Sequence, residues 1–135
     1  MQIRGKIGVI DSQDALIGNP AYDLASLIDD VRIKIPKKLK NKIYNYYLIK
    51  NKKNLKNNSK NFLEDFNILS VQRCLKIIGI FARLFKRDKK DKYLKFIPYT
   101  WQILKLIMKG KIFLELRKIL DKNISSKIRK ININK

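Results

Sequence analysis

Asp11 and Asp14 sit in the acidic stretch GVIDSQDALIGNPAYDLASLIDD, and of all the residues in the chain they are the best placed to do chemistry. Residues 6–11, KIGVID, are compact and β-branched and end in an acid, which predicts a short buried strand that delivers Asp11 to its C-terminal end. A carboxylate there, facing a loop, suits a divalent cation: hard cations take oxygen ligands, and Mg2+ is usually held by only one or two carboxylates together with phosphate oxygens. Asp14 offers a second oxygen, directly or through water, or else serves as a loop or helix cap. Gln13, between them, could hydrogen-bond a substrate. Asp23 falls in the first turn of the following helix, where unpaired N–H groups and the helix dipole stabilise an acid without any ligand. Asp29 and Asp30, at the end of that helix beside Arg32, read as solvated.

Other chemistries are closed to these residues acting alone. The 135 residues contain no histidine, which removes His-based metal sites, Ser–His and Cys–His nucleophile pairs and histidine acid–base catalysis. Cys74 is the single cysteine, so no internal disulfide forms, and one thiol fits a reducing compartment. The five glycines, at 5, 8, 18, 79 and 110, make neither a GxGxxG nor a GxxxxGK phosphate loop.

The elements that must position Asp11 are mostly helices. Asn19 is suited to cap a helix with Pro20 at its first position, and Ala21, Leu24, Ala25, Leu27, Ile28 and Val31 recur at helical spacing, predicting a helix over about 20–32. Pro36 opens a second, with Leu39, Ile43, Tyr46 and Tyr47 as its stripe. A Lys/Asn-rich loop over 51–60 leads to a central helical region, about 62–86, apolar on too many sides for a surface helix and expected to break near Asn67. After a charged turn at 87–92 come helices over 93–108 and 111–120, with Gly110 between them as an expected C-cap, and a basic tail from Asn123 expected to fray. The fold class is therefore mainly α, a short β element followed by a helical bundle. It divides into a body, 1–122, and a tail, 123–135. No uncharged run approaches the roughly 18 apolar residues of a membrane span, and an acid arrives before any long apolar region, so a cytoplasmic protein without a signal peptide is expected.

The formal charge is +21, unevenly spread: residues 1–30 are net −3 and residues 31–135 net +24. Such a basic body invites binding to nucleic acid or to an acidic partner. Lysines outnumber arginines 25 to seven, however, and Asn and Ile are abundant too, the signature of an AT-rich coding bias that puts lysine on any tolerant surface. Zinc-finger spacing and aromatic RNA-binding motifs are absent, so nucleic-acid binding stands as the alternative reading.

The phrase as a whole says more than its parts. Ile10-Asp11 followed by Asp23-Leu24-Ala25 resembles the metal-binding segment of the aminoglycoside phosphotransferase and choline kinase-like superfamily, in which a strand ending in Ile-Asp leads through a loop to a helix marked Asp-Leu-Ala. Within it, IDSQDALIGNPAYDLASL at 10–27 and QRCLKIIGIFARL at 72–84, with RDKKDKYLKFIP following, are most similar to the bacterial cell-wall amino-sugar kinases, which phosphorylate the anomeric hydroxyl of N-acetylmuramate or N-acetylglucosamine. The resemblance covers about residues 5–105 and implies the C-terminal lobe of a protein-kinase-like fold. By position it implies that Asp11 is the counterpart of the kinase DFG aspartate, a ligand of Mg2+ on the ATP phosphates. It further implies Asp23 as a structural acid bracing the catalytic loop, and Gln13, Asp14 and Arg73 in or near the sugar-side cleft. Ser12 stands where the family usually has an aromatic, and Cys74 where it usually has histidine.

Such kinases also need a lysine on an N-lobe strand, the aspartate of an HxD loop to orient the acceptor hydroxyl, and an asparagine after it for metal. In the family these parts precede the Ile-Asp strand, and here Met1 stands ten residues before Asp11. The expectation is a C-lobe without N-lobe or catalytic loop, hence with no catalytic residue of its own, inactive alone and completed, if at all, by a separate N-terminal half.

Overall fold

A computed structural model of the chain describes residues 2–3, 6–7, 17–53, 55 and 59–130. Two short strands, β1 (Gln2–Ile3) and β2 (Lys6–Ile7), pair antiparallel with Gln2 opposite Ile7 and Ile3 opposite Lys6. Helices follow: α1 (Ala21–Ile28), α2 (Lys37–Lys50), α3 (Ser59–Asp88), α4 (Ile97–Ile107), α5 (Leu114–Asn123) and α6 (Ser126–Arg129). Short 3-10 turns, Asp91–Phe96 and Lys111–Phe113, lead into α4 and α5. The architecture is mainly α, as expected. Of the strand expected over 6–11, only residues 6–7 are among the described residues.

α3 organises the molecule. At 30 residues it is about 45 Å long, from the 1.5 Å rise per residue of an α-helix. It runs without interruption through Asn67, where a break was expected. Asn67 is half-buried between Phe66, which enters one apolar cluster, and Val71, which enters another. Packing on both sides outweighs the few tenths of a kcal/mol by which asparagine disfavours a helix. The first cluster gathers Ala21, Leu24, Ala25 and Ile28 of α1 with Phe62 and Phe66 of α3, flanked by half-buried side chains of α2. The second gathers Val71, Cys74 and Phe81 of α3 with Trp101, Ile103, Leu104, Phe113 and Leu120. Ser70 and Cys74 on α3 and Thr100 and Leu104 on α4 are fully buried, each pair at the four-residue spacing that puts side chains on one helix face. The Thr100 hydroxyl is satisfied by donating to the Phe96 carbonyl at 2.8 Å.

α2 turns a different face inward from the one its stripe suggested. Ile43, Tyr44, Tyr47 and Leu48 pack on the first cluster, while Leu39 and Tyr46 are exposed. The two faces share Ile43 and Tyr47. The choice between them follows from Phe62 and Phe66: Tyr44 meets Phe66 edge-on with ring centres 5.2 Å apart, and Tyr47 stacks on Phe62 at 5.5 Å. Leu27 of α1 is likewise exposed, since an eight-residue helix has only one narrow face to bury.

Two chain reversals also differ from expectation. The segment 87–92 is not one turn: α3 continues to Asp88 and ends with Lys89 in the left-handed region, φ 54°. The Lys89 N–H donates to the Phe85 carbonyl and the Lys90 N–H to that of Leu84, so the helix closes without glycine. Gly110 is extended, φ −63° and ψ 152°, a conformation open to any residue, and it opens the next turn rather than capping α4. Beyond Asn123, the described part of the tail is folded: α6 lies against α4, with the Arg129 guanidinium 4.8 Å from the Trp101 ring centre.

Candidate functional site

Asp11, Gln13 and Asp14 lie outside the described residues. What the structure shows is the seat of α1, the helix that follows them in sequence. At its start, the Asn19 side-chain oxygen accepts the Ala21 N–H at 3.0 Å and its carbonyl accepts the Tyr22 N–H at 3.0 Å, satisfying two of the donors a helix start leaves open. The Asn19 side-chain amide also donates to Asp65 at 2.7 Å, tying the start of α1 to α3. Pro20, φ −62° and ψ −17°, is already helical and presents no N–H that would need a partner. Asp23 is exposed in the first turn of α1 and has no hydrogen-bond or ion-pair partner among the described residues.

At its other end α1 is held by a buried carboxylate. Asp29, expected in solvent, is 6% exposed. It takes the Lys40 ammonium on one oxygen at 2.7 Å and the buried Ser70 hydroxyl on the other at 3.0 Å, joining α1 to α2 and α3 together. Its main-chain carbonyl accepts from Arg73 at 3.4 Å. Arg73, half-buried on α3, therefore stands beside the C-terminal end of α1. The sequence did carry a signal for Asp29: four residues after Ala25, it continues the apolar face of α1, and Ser70 lies four residues after Phe66 on the inner face of α3. A charged group on an apolar face needs a partner, and Lys40 and Ser70 are that partner.

Asp30, also expected in solvent, is half-buried, its side chain 15% exposed. It pairs with Arg32 at 2.7 Å, and the hydrogen bond from the guanidinium holds its carboxyl below the usual carboxylate range. Cys74, one turn from Ser70, is fully buried; burial pushes its thiol up to about 12, and the nearby Asp29 charge adds to the effect. A thiol so placed is no nucleophile. Among the described residues no cluster of carboxylates and Cys74 could hold a metal ion, and no helix is long and apolar enough to cross a membrane. The described part of the chain is thus a scaffold that fastens α1 at both ends.

No family model matches the chain, and no solved structure matches it. Curated proteins do. It is 41% identical over 101 residues to the N-acetylmuramate/N-acetylglucosamine kinase of Neisseria meningitidis, covering 73% of the chain and 30% of that protein. To the proteins of the same name from Caulobacter vibrioides and Pseudomonas aeruginosa it is 30% identical over 125 residues and 37% identical over 100. These cover 93% and 72% of the chain, and 34% and 30% of those proteins. Over most of its length, then, the chain is similar to proteins named as sugar kinases, and it spans about a third of the length of each.

Proposed function

We propose that these 135 residues are the C-terminal part of an ATP-dependent kinase that phosphorylates an amino sugar on its anomeric hydroxyl. The observation that carries the reading is that the chain is 41% identical over 101 residues to a protein named N-acetylmuramate/N-acetylglucosamine kinase. On this reading Asp11, with Asp14 beside it, holds Mg2+, whose charge neutralises the ATP phosphates when bound. The donor set is oxygen only, which is the chemistry that cation takes. Gln13 and Arg73 orient the sugar; Arg73 makes one long bond to a carbonyl and keeps further donors for a hydroxyl or carboxylate. Asp23 accepts from the backbone of the catalytic loop, a role compatible with its exposure at a helix start pinned by Asn19.

Phosphoryl transfer depends on positioning and on charge stabilisation shared among several groups, and these 135 residues, with no histidine, hold no HxD aspartate. The polypeptide alone is therefore inactive. The test joins it to the N-terminal two-thirds of the Neisseria relative, in a single chain or as two co-expressed chains, and follows ATP-dependent phosphorylation of N-acetylmuramate. Activity in the joined form, lost by at least about a hundredfold on Asp11→Asn and absent from the 135-residue chain alone, is the expected result. A folded but inactive chimera, or turnover by the 135 residues alone, would overturn it.

A further inference from the structure

A groove of about 880 Å3 opens between the α1–α2 loop, the outer side of α4 and the α5–α6 corner. Seven cationic side chains line it. Arg32 and Lys34 come from the loop, Lys95 and Lys105 from the approach to α4 and from α4 itself, and Arg117, Arg129 and Lys130 from the last two helices. Asp121 is the one acid among the lining residues, and Arg129 already occupies it at 2.7 Å. Arg32 is answered by Asp30.

A coding bias towards lysine explains lysines anywhere on the surface, but it does not gather arginines. Three of the chain's seven arginines line this one groove. Two of them are held in place: Arg117 donates to the Met108 carbonyl, and Arg129 donates to the Leu120 carbonyl while lying over Trp101. The Arg129 Nε–H is, among the described residues, the one buried side-chain donor with no partner. The lysines converge on ring faces, Lys34 5.4 Å from the centre of Tyr99 and Lys95 5.2 Å from that of Phe96. Lys105 and Lys130 are exposed and make no ion pair among the described residues.

We infer that this groove binds single-stranded nucleic acid. With Arg32 and Arg129 already paired to acids, Lys34, Lys95, Lys105, Arg117 and Lys130 still line the groove; one phosphate cannot meet them all, and they call for several negative charges spaced along a chain. A flexible single strand can thread its phosphates along a concave cationic groove, following it more closely than a stiff duplex does. The inference does not depend on the kinase reading.

The test is fluorescence anisotropy of the whole 135-residue chain with a labelled oligothymidylate of about 15 nucleotides, a length in the range single-strand sites cover. Salt is varied. The variant Lys105→Gln/Lys130→Gln is compared with Lys42→Gln/Lys76→Gln, which removes equal charge from exposed positions outside the groove. Losing two phosphate contacts should lower the slope of log K against log salt by about 1.4, while the control pair changes affinity no more than about twofold. Equal losses in the two variants would reduce the binding to generic attraction by a basic protein and overturn the inference. So would duplex of the same length, or polyglutamate, binding as tightly as the single strand.

Discussion

Truncating Asp29 to alanine should destabilise the chain by about 3 kcal/mol. The carboxylate is 6% exposed and accepts two hydrogen bonds, from the Ser70 hydroxyl and from the Lys40 ammonium. Removal leaves Ser70 buried without its charged acceptor, worth about 1.5–2 kcal/mol. Breaking a fully buried ion pair costs about 3–5 kcal/mol, but the Lys40 side chain is 21% exposed and can swing its ammonium into water, so its share falls to about 1 kcal/mol. The bond from Arg73 to the Asp29 main-chain carbonyl survives the truncation and adds nothing to the loss. For a domain of this length, 3 kcal/mol lowers Tm by roughly 10 °C. Urea unfolding of Asp29→Ala, Lys40→Ala and the double variant closes a thermodynamic cycle, and the pair should couple by about 1 kcal/mol. A loss below about 0.5 kcal/mol for Asp29→Ala, or strict additivity of the two changes, would refute the assignment of Asp29 as the tie between α1, α2 and α3.

Two further outcomes follow from α3. Gly79 is exposed in the middle of that helix, and beyond its chain neighbours and the helix's own backbone nothing lies within 4 Å of where a Cβ would stand, so Gly79→Ala should stabilise by about 0.5–1 kcal/mol in urea unfolding; a destabilised variant would contradict the helix at that position. Cys74 should resist a thiol reagent at pH 8 at any rate faster than unfolding. Because the fold holds its proton up to about 12 while the unfolded chain releases it from about 9, this contribution to stability is complete below pH 9 and declines as pH rises, by about 1.4 kcal/mol at pH 10. Cys74→Ala should remove that part of the alkaline decline, and an unchanged decline would count against the shift.

Patterns carried by spacing were legible in the sequence, and those decided by a distant partner were not. Ala21, Leu24, Ala25 and Ile28 are buried on α1 because a helix repeats every 3.6 residues whatever packs on it. The inward face of α2 was hidden, since Leu39–Ile43–Tyr46–Tyr47 and Ile43–Tyr44–Tyr47–Leu48 are equally helical and only Phe62 and Phe66, across a loop, choose between them. For Asp29 the spacing from Ala25 pointed to the buried face, but the partner that makes a carboxylate stable there, Ser70, lies 41 residues away. Gly110 misled because glycine permits a left-handed cap without requiring one, and Lys89 closes α3 in that conformation with a Cβ. Of the candidate site, the motif order from Ile10 to Leu84 was readable, whereas the geometry of Asp11, Gln13 and Asp14 falls outside the described residues.

The two apolar clusters share one long helix as their spine, so the molecule resembles two beads threaded on a rod. Phe62 and Phe66 grip one bead, Val71, Cys74 and Phe81 the other, and Ser70 with its bond to Asp29 marks the joint between them. Amide exchange should then resolve two cooperative units, with α1 and α2 peeling away while the amides of 71–120 stay protected, and the Asp29 contact setting how tightly the opening of one commits the other.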